Sequence, residues 1–333
     1  MWYNKGDEIG FYEKRKMRYE VYHDESKEES FWHIFLFIPE GMKEEFFQFL
    51  REARSNHNFD SGEMHFSSSR FTSFAVFNCA NSWLSILLSA FQQKNGSMEK
   101  FWLGAPSYHI PSFSTEELEQ LEKCFSRIPQ IKVAIFRQEE NHNDMTGHPD
   151  ELSKIETTFR MGLQGACSYL FDQDHPVEIS RIILDGERHY RRAYGREFDK
   201  EKVLRKLDSN FRLYCSLSTD CIINGEELDR VECEFSQVAD FVLGIFRAGI
   251  VRPKFSNCNN QNEQRKYKIC KKLKEFFDEK INLGSVRMRN SRFENFGTFS
   301  SARIDENEKW IFENIAPKFL TNTQAEIPSL FEI

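Results

Sequence analysis

No CxxC pair and no zinc-type grouping of cysteine with histidine occurs among the eight cysteines of this 333-residue chain. The common structural zinc modules are thereby excluded, and Cys79, Cys124, Cys167, Cys215, Cys221, Cys233, Cys258 and Cys270 are expected to be free and mostly buried thiols. No basic-then-apolar leader opens the chain, and no uninterrupted apolar run is long enough to span a bilayer. A cytoplasmic protein with no membrane partner is the expectation. There is no internal repeat. Positive charge is not in excess either: 45 Lys and Arg stand against 52 Asp and Glu, a net charge of -7. That argues against nucleic acid coating the whole surface, but it leaves room for a local basic groove.

What is present is an ordinary globular composition, 29% charged and 40% hydrophobic, with an unusual 33 phenylalanines. An aromatic-rich core is the simplest use for them, and stacking on bases is a second. Alternation predicts a strand over 17–23, a polar turn over 24–30 and a partner strand over 31–38 ending at Pro39-Glu40-Gly41. Helical spacing follows over 42–54, with Arg late in the helix to suit its dipole. A short strand-like element is read over 62–66 and a helix over 74–91. Further strands are read at 101–104, 131–136, 179–184, 212–217 and 221–223. Helices are read after Ser114, over 151–171, over 200–207 and over 231–250. This order indicates an α/β protein. The Asn- and Gln-rich stretch 253–264 marks a boundary, which gives a main domain over 1–252 and a C-terminal helical extension over 253–333. Within the extension, a basic helix is read over 265–274 and a terminal helix around Trp310 and Ile311.

Asp240 is the least expected residue for its place. A helix interior has little use for a short carboxylate, which competes for backbone hydrogen bonds. On the wheel Val231, Phe235, Val238, Val242 and Phe246 form an apolar stripe, while Ser236, Gln237, Asp240, Gly244 and Arg247 share roughly the opposite face. Either Asp240 is partly buried and matched by a cation or donors, or it is solvated beside Arg247. Three further acids stand where folds gather side chains: Asp24 at a strand end, Glu63 in Glu-Met-His, and Asp185 at another strand end. If the two strands are sheet neighbours, Asp24 and Asp185 emerge at one edge, over which the helix can bring Asp240. Converging carboxylates repel unless a cation joins them, and hard oxygen ligands suit Mg²⁺ or Mn²⁺. Two such ions about 4 Å apart can activate a water and stabilise a leaving oxygen in phosphodiester cleavage. Each acid also has a plainer reading: a hairpin turn for Asp24, a surface acid for Glu63, an Asp-Gly turn for Asp185.

Taken in order, Tyr22-His23-Asp24-Glu25-Ser26, Glu63-Met64-His65, Ile182-Ile183-Leu184-Asp185 and Gln237-Val238-Ala239-Asp240 resemble the motifs of the DUF3800 family. The resemblance spans roughly residues 17–249. It implies a ribonuclease H-like mixed sheet flanked by helices, with a predicted metal-dependent nuclease centre. It further implies metal-ligand roles for Asp24, Asp185 and Asp240, a fourth acid or water-orienting role for Glu63, and phosphate contact or proton transfer by His65. The chain departs from the family pattern in its long tail and in the Arg- and His-rich stretch after Asp185. Arg188, His189, Arg191 and Arg192 in that stretch are candidates for holding a DNA or RNA backbone. The expectation is therefore a Mg²⁺- or Mn²⁺-dependent nuclease, with a place in phage defence and a defence-system partner protein. The alternatives are a non-catalytic nucleic-acid-binding or sensor component and an enzyme acting on a small phosphate ester.

Overall fold

A computed structural model describes residues 17–27, 30–66, 71–91, 131–139, 150–171, 173, 176–184, 187–218, 220–224, 228–248, 260–284, 297–304 and 310–314. Among the described residues, eight strands form one mixed sheet: β1 (Arg18–Ser26), β2 (Ser30–Pro39), β3 (Lys132–Glu139), β4 (Val177–Leu184), β5 (Cys215–Leu217), β6 (Ile222–Asn224), β7 (Gly297–Ile304) and β8 (Trp310–Asn314). Their order is β5-β4-β1-β2-β3-β7-β8, and β6 also pairs with β4. The strands β1, β2 and β3 form an antiparallel meander. Parallel strands continue it on both sides, β4 beside β1 and β7 beside β3.

Helices cover both faces. They are α1 (Lys43–Asn56), α2 (Phe74–Phe91), α3 (Glu151–Leu170), α4 (Glu187–Tyr194), α5 (Lys200–Arg205), α6 (Arg230–Phe246) and α7 (Gln261–Gly284). The central strand β2 is buried along its whole length, which is why it reads as a near-continuous apolar run. Its side chains divide by parity. Trp32, Ile34, Leu36 and Ile38 join a core with Tyr22 and with residues of α1, α2 and α6. Phe31, Phe35 and Phe37 join a second core with Tyr19, Val21 and α3. Period-two alternation thus assigns each residue of β1 to the α6 face or to the α3 face.

Several sequence expectations need correction. Residues 62–66 form no strand, because their main chain is held by side chains: Gly62 O accepts from Arg54 at 3.0 Å and Met64 N donates to Gln237 at 2.8 Å. The turn expected over 24–30 is shorter, since the ladder runs on through Asp24, paired with Ile34, to Ser26, paired with Trp32. Among the described residues the extension is helical only in α7. Trp310 and Ile311 lie in β8, not in a helix, where they pair with Ile304 and Arg303 of β7. The strand expected at 101–104, the helix after Ser114, most of the loop over 138–150 and residues 253–259 fall outside the described residues. The basic helix exists as α7, but its charge is not all solvated. Arg265 is buried against the Phe71 and Thr72 carbonyls at 2.6 Å each, and Lys272 reaches Asn81 Oδ1 at 3.2 Å and contacts Ser85.

At Gly162, α3 packs directly against side chains of the sheet. A Cβ there would stand 2.8 Å from Phe35 Cε2 and 3.0 Å from Phe136 Cβ. Overpacking of this kind costs about 1–3 kcal/mol. Gly162→Ala is therefore expected to lower the unfolding free energy, read by denaturant titration, by that amount, whereas Gly165→Ala, with open space at its Cβ, should not destabilise the chain.

Candidate functional site

The site is built on α6. The helix begins with a capping box, in which Asp229 accepts from Glu232 N at 2.9 Å and Glu232 accepts from Asp229 N at 3.1 Å. Its first turns are then tied to the sheet. Arg181 of β4 bridges Glu232 and Glu20, Lys43 reaches Glu20 at 2.8 Å, and Tyr22 donates to Glu20 at 2.7 Å. One turn on, Phe235 packs on Tyr22 with ring centroids 5.1 Å apart. These anchors set the start of α6 over β1 and β4, and at its other end Phe246 packs on Phe299 of β7, ring centroids 5.0 Å apart, so the helix crosses the sheet. Parity puts Asp24 on the Tyr22 side of the sheet, the side that α6 covers.

Segment 59–66 covers the polar face of α6. Its support is Arg54 at the end of α1, 1% exposed. Arg54 pairs with Glu234, donates to the Phe59 carbonyl at 3.3 Å and the Gly62 carbonyl at 3.0 Å, and donates to Gln237 Oε1 at 2.8 Å. The reading of Arg54 as a helix-dipole residue misses this role. The acids at Glu232 and Glu234, just ahead of an apolar helix, were the available signal for a buried cation. Gly244 lets the segment close, since a Cβ there would stand 2.6 Å from Phe66 Cβ.

Held in this way, His65 meets Asp240. His65 Nδ1 lies 2.7 Å from Asp240 Oδ2, and its Nε2 lies 3.0 Å from Glu63 Oε2. Asp240 is thus partly buried and matched by a cation, the first of its two readings, and Gln237 is the polar neighbour that orders the segment. Asp240 raises the His65 pKa to about 9, mainly through their hydrogen bond and against the opposing effect of burial. The imidazolium is the resting form at neutral pH. Glu63 is a surface acid, its side chain 76% exposed, that reaches His65 from solvent.

The remaining predicted residues are placed less closely. Asp185 lies outside the described residues; Leu184, the last described residue of β4, pairs with His23. The side chains of Arg188 and His189 also lie outside them. Arg191 and Arg192 are exposed on α4, with Arg191 paired to Glu197 at 2.7 Å. Tyr190 of the same helix is buried and donates to Glu25 at 2.5 Å, which fastens α4 to the α3 face of β1, opposite Asp24. Among the described residues, Asp24, Glu63 and Asp240 do not form a trio with ligand atoms within 4.8 Å of one another; His23, Glu25 and His33 do. Sequence reasoning passed over that second group, although His23 and Glu25 flank Asp24. Burial holds both imidazoles neutral, with the His33 pKa lowered to about 3. Of the described cysteines, five are buried free thiols and Cys233 is exposed. Among the described residues no helix is long and apolar enough to cross a membrane.

Comparisons with family models, with curated proteins and with solved structures found no match.

Two measurements check this geometry. Arg54→Met leaves the Glu234 carboxylate buried without its partner and is expected to cost about 3–5 kcal/mol of stability by denaturant unfolding. The folded pKa of His65 lies above its ordinary 6.5, so the stabilisation it lends is complete below about pH 6.5 and is lost as pH rises through about 9. The melting-temperature advantage of the wild-type chain over His65→Gln should therefore shrink across that window. A constant difference from pH 6 to 10 would contradict the Asp240–His65 pair.

Proposed function

We propose that this chain is a Mg²⁺- or Mn²⁺-dependent nuclease with a ribonuclease H-like core. The observation that carries the reading is the contact of His65 with Asp240 on α6, on the side of the sheet to which the alternation of β1 assigns Asp24. The strand order supports the core assignment: an antiparallel meander β1-β2-β3, continued from β1 by the parallel strands β4 and β5, is the order expected of that fold. Asp24, Asp240 and Asp185, with Glu63 at the rim, are the residues that would hold the metal. Their donor set fits, because carboxylate oxygens are the ligands such hard cations take. When bound, the ions would activate the attacking water and neutralise charge on the phosphate.

The chain's own groups have distinct tasks in this reading. The carboxylates of Asp24 and Asp240 bind and position. His65, held by Asp240 and Glu63, either contacts the phosphate or transfers a proton to the leaving oxygen. Arg188, Arg191 and Arg192 on α4 contact the nucleic-acid backbone, DNA or RNA, beyond the cleavage point. A role in phage defence, beside a partner protein, is the setting the DUF3800 resemblance suggests. The second reading, a non-catalytic nucleic-acid-binding or sensor component, is favoured by one observation: Asp240 is already satisfied by His65 without any metal.

Cleavage assays separate the two. Purified chain is expected to cut DNA or RNA only with Mg²⁺ or Mn²⁺ present. Asp24→Asn and Asp240→Asn should each abolish cutting while the chain stays folded, and His65→Gln should slow it about 10²–10⁴-fold, the usual range for lost acid–base help. Metal-independent cutting, or full activity in both Asn variants, would sink the nuclease assignment; binding of nucleic acid without cutting would favour the second reading.

A further inference from the structure

On the α3 face of β1, away from Asp24, three side chains from two strands converge. Glu25 stands directly across the ladder from His33, and His23 lies diagonally beside it, close enough for cross-strand side chains to meet. One ligand atom of each lies within 4.8 Å of the other two. His23 and His33 are 0% and 1% exposed, enclosed by Phe35, Phe136 and Phe159, whereas Glu25 is half-buried.

The hydrogen bonds assign the tautomers. The Thr158 hydroxyl donates to the Lys154 carbonyl at 2.9 Å, so it accepts from His33 Nε2 at 2.7 Å. His33 Nδ1 is then a lone pair, and it accepts from His23 Nε2 at 2.9 Å. This leaves His23 Nδ1 as a second lone pair, and that atom is buried with no partner. Buried acceptors normally find a donor. Here the pair of rings carries one lone pair more than its surroundings use. Tyr190 donates to Glu25 Oε2 at 2.5 Å and so orients the carboxylate toward the pair. Lys27 is the opposing charge nearby, drawn aside by Glu151 at 3.8 Å and by the Tyr194 ring at 4.3 Å.

We infer that His23, Glu25 and His33 bind one divalent transition-metal ion of the zinc class, at a site separate from the carboxylate face. Two imidazoles and one carboxylate suit zinc and its neighbours, whereas magnesium prefers oxygen throughout. On binding, the proton shared by the two rings moves from His23 Nε2 to the unpartnered Nδ1. Both facing nitrogens then present lone pairs to the ion, and no proton is released. His33 keeps its Nε2–H on Thr158, the outer-shell bond that fixes the orientation of a ligating imidazole, and Tyr190 does the same for Glu25. The ion would pin the hairpin end of β1 and β2 beneath α3 and α4.

The test uses the full chain, freed of metal with a chelator and titrated with Co²⁺, whose visible absorption reports nitrogen ligation. One equivalent is expected to give visible bands that Zn²⁺ abolishes by displacement. Tyr190→Phe removes only a hydroxyl and should weaken Co²⁺ binding about 10–100-fold at an unchanged fold. Glu25→Gln, which removes a ligand, should weaken it at least as much. Circular dichroism on each variant separates ligation from folding, and Tyr190→Phe remains decisive if Glu25→Gln unfolds. Asp240→Asn should leave the bands intact, which keeps this site distinct from the proposed nuclease centre whether or not that centre cuts. Absence of visible bands in the wild-type chain, unchanged affinity in folded Tyr190→Phe and Glu25→Gln, or loss of the bands in Asp240→Asn would each overturn the assignment.

Discussion

A single buried guanidinium organises the candidate site. Arg54 reaches from the end of α1 to Glu234 on α6, to the carbonyls of Phe59 and Gly62, and to Gln237. Its ring neighbours are Phe59 and Trp83, at 4.9 and 4.7 Å. In so apolar a setting neither charge could stand alone, because an unpaired buried ion costs several kcal/mol. The helices α1 and α6 and the irregular segment 59–66 must therefore meet at this point. His65 is carried on that segment, and its contact with Asp240 follows from the meeting.

The second constraint is the alternation of β1. Consecutive residues His23, Asp24 and Glu25 point to opposite faces of one strand, so a five-residue motif delivers two different chemistries. Asp24 goes to the α6 side with Asp240 and an imidazolium. His23 and Glu25 go to the α3 side, with two neutral imidazoles in an aromatic enclosure. The low polarity of that enclosure favours uncharged nitrogen donors, while the more open α6 side sustains charge. One strand end thus separates a carboxylate face from an imidazole face by the thickness of the sheet.

Much of the framework was legible beforehand. The sequence reading of α2 has the bounds that the structure shows, despite Asn78 and Asn81, because the apolar spacing dominates; within the helix the hydroxyls of Ser85 and Ser89 donate to the carbonyls of Asn81 and Ser85 at 2.9 Å each. Spacing places Gly244 and Gln237 on the polar face of α6, and the structure makes the first a point of close approach to Phe66 and the second a partner of Arg54 and Met64. Segment 62–66 was misread as a strand, since its alternating pattern is the same whether its main chain bonds to a neighbouring strand or to Arg54 and Gln237. Trp310 and Ile311 suit a helix or an edge strand equally, and only the free side of β7 decided between them.

By itself the sequence determined the alternating strands, the amphipathic helices and the placement of an acid on a helix where propensity disfavours one. These are local properties, set by side-chain spacing and backbone preference within a few residues. Tertiary structure alone decided which groups meet: Arg54 with Glu234 across 180 positions, His65 with Asp240 across 175, and His23 with His33 across a hairpin whose register is set by core packing. Such partnerships depend on buried charge and parity, which act only once distant segments have been brought together out of water.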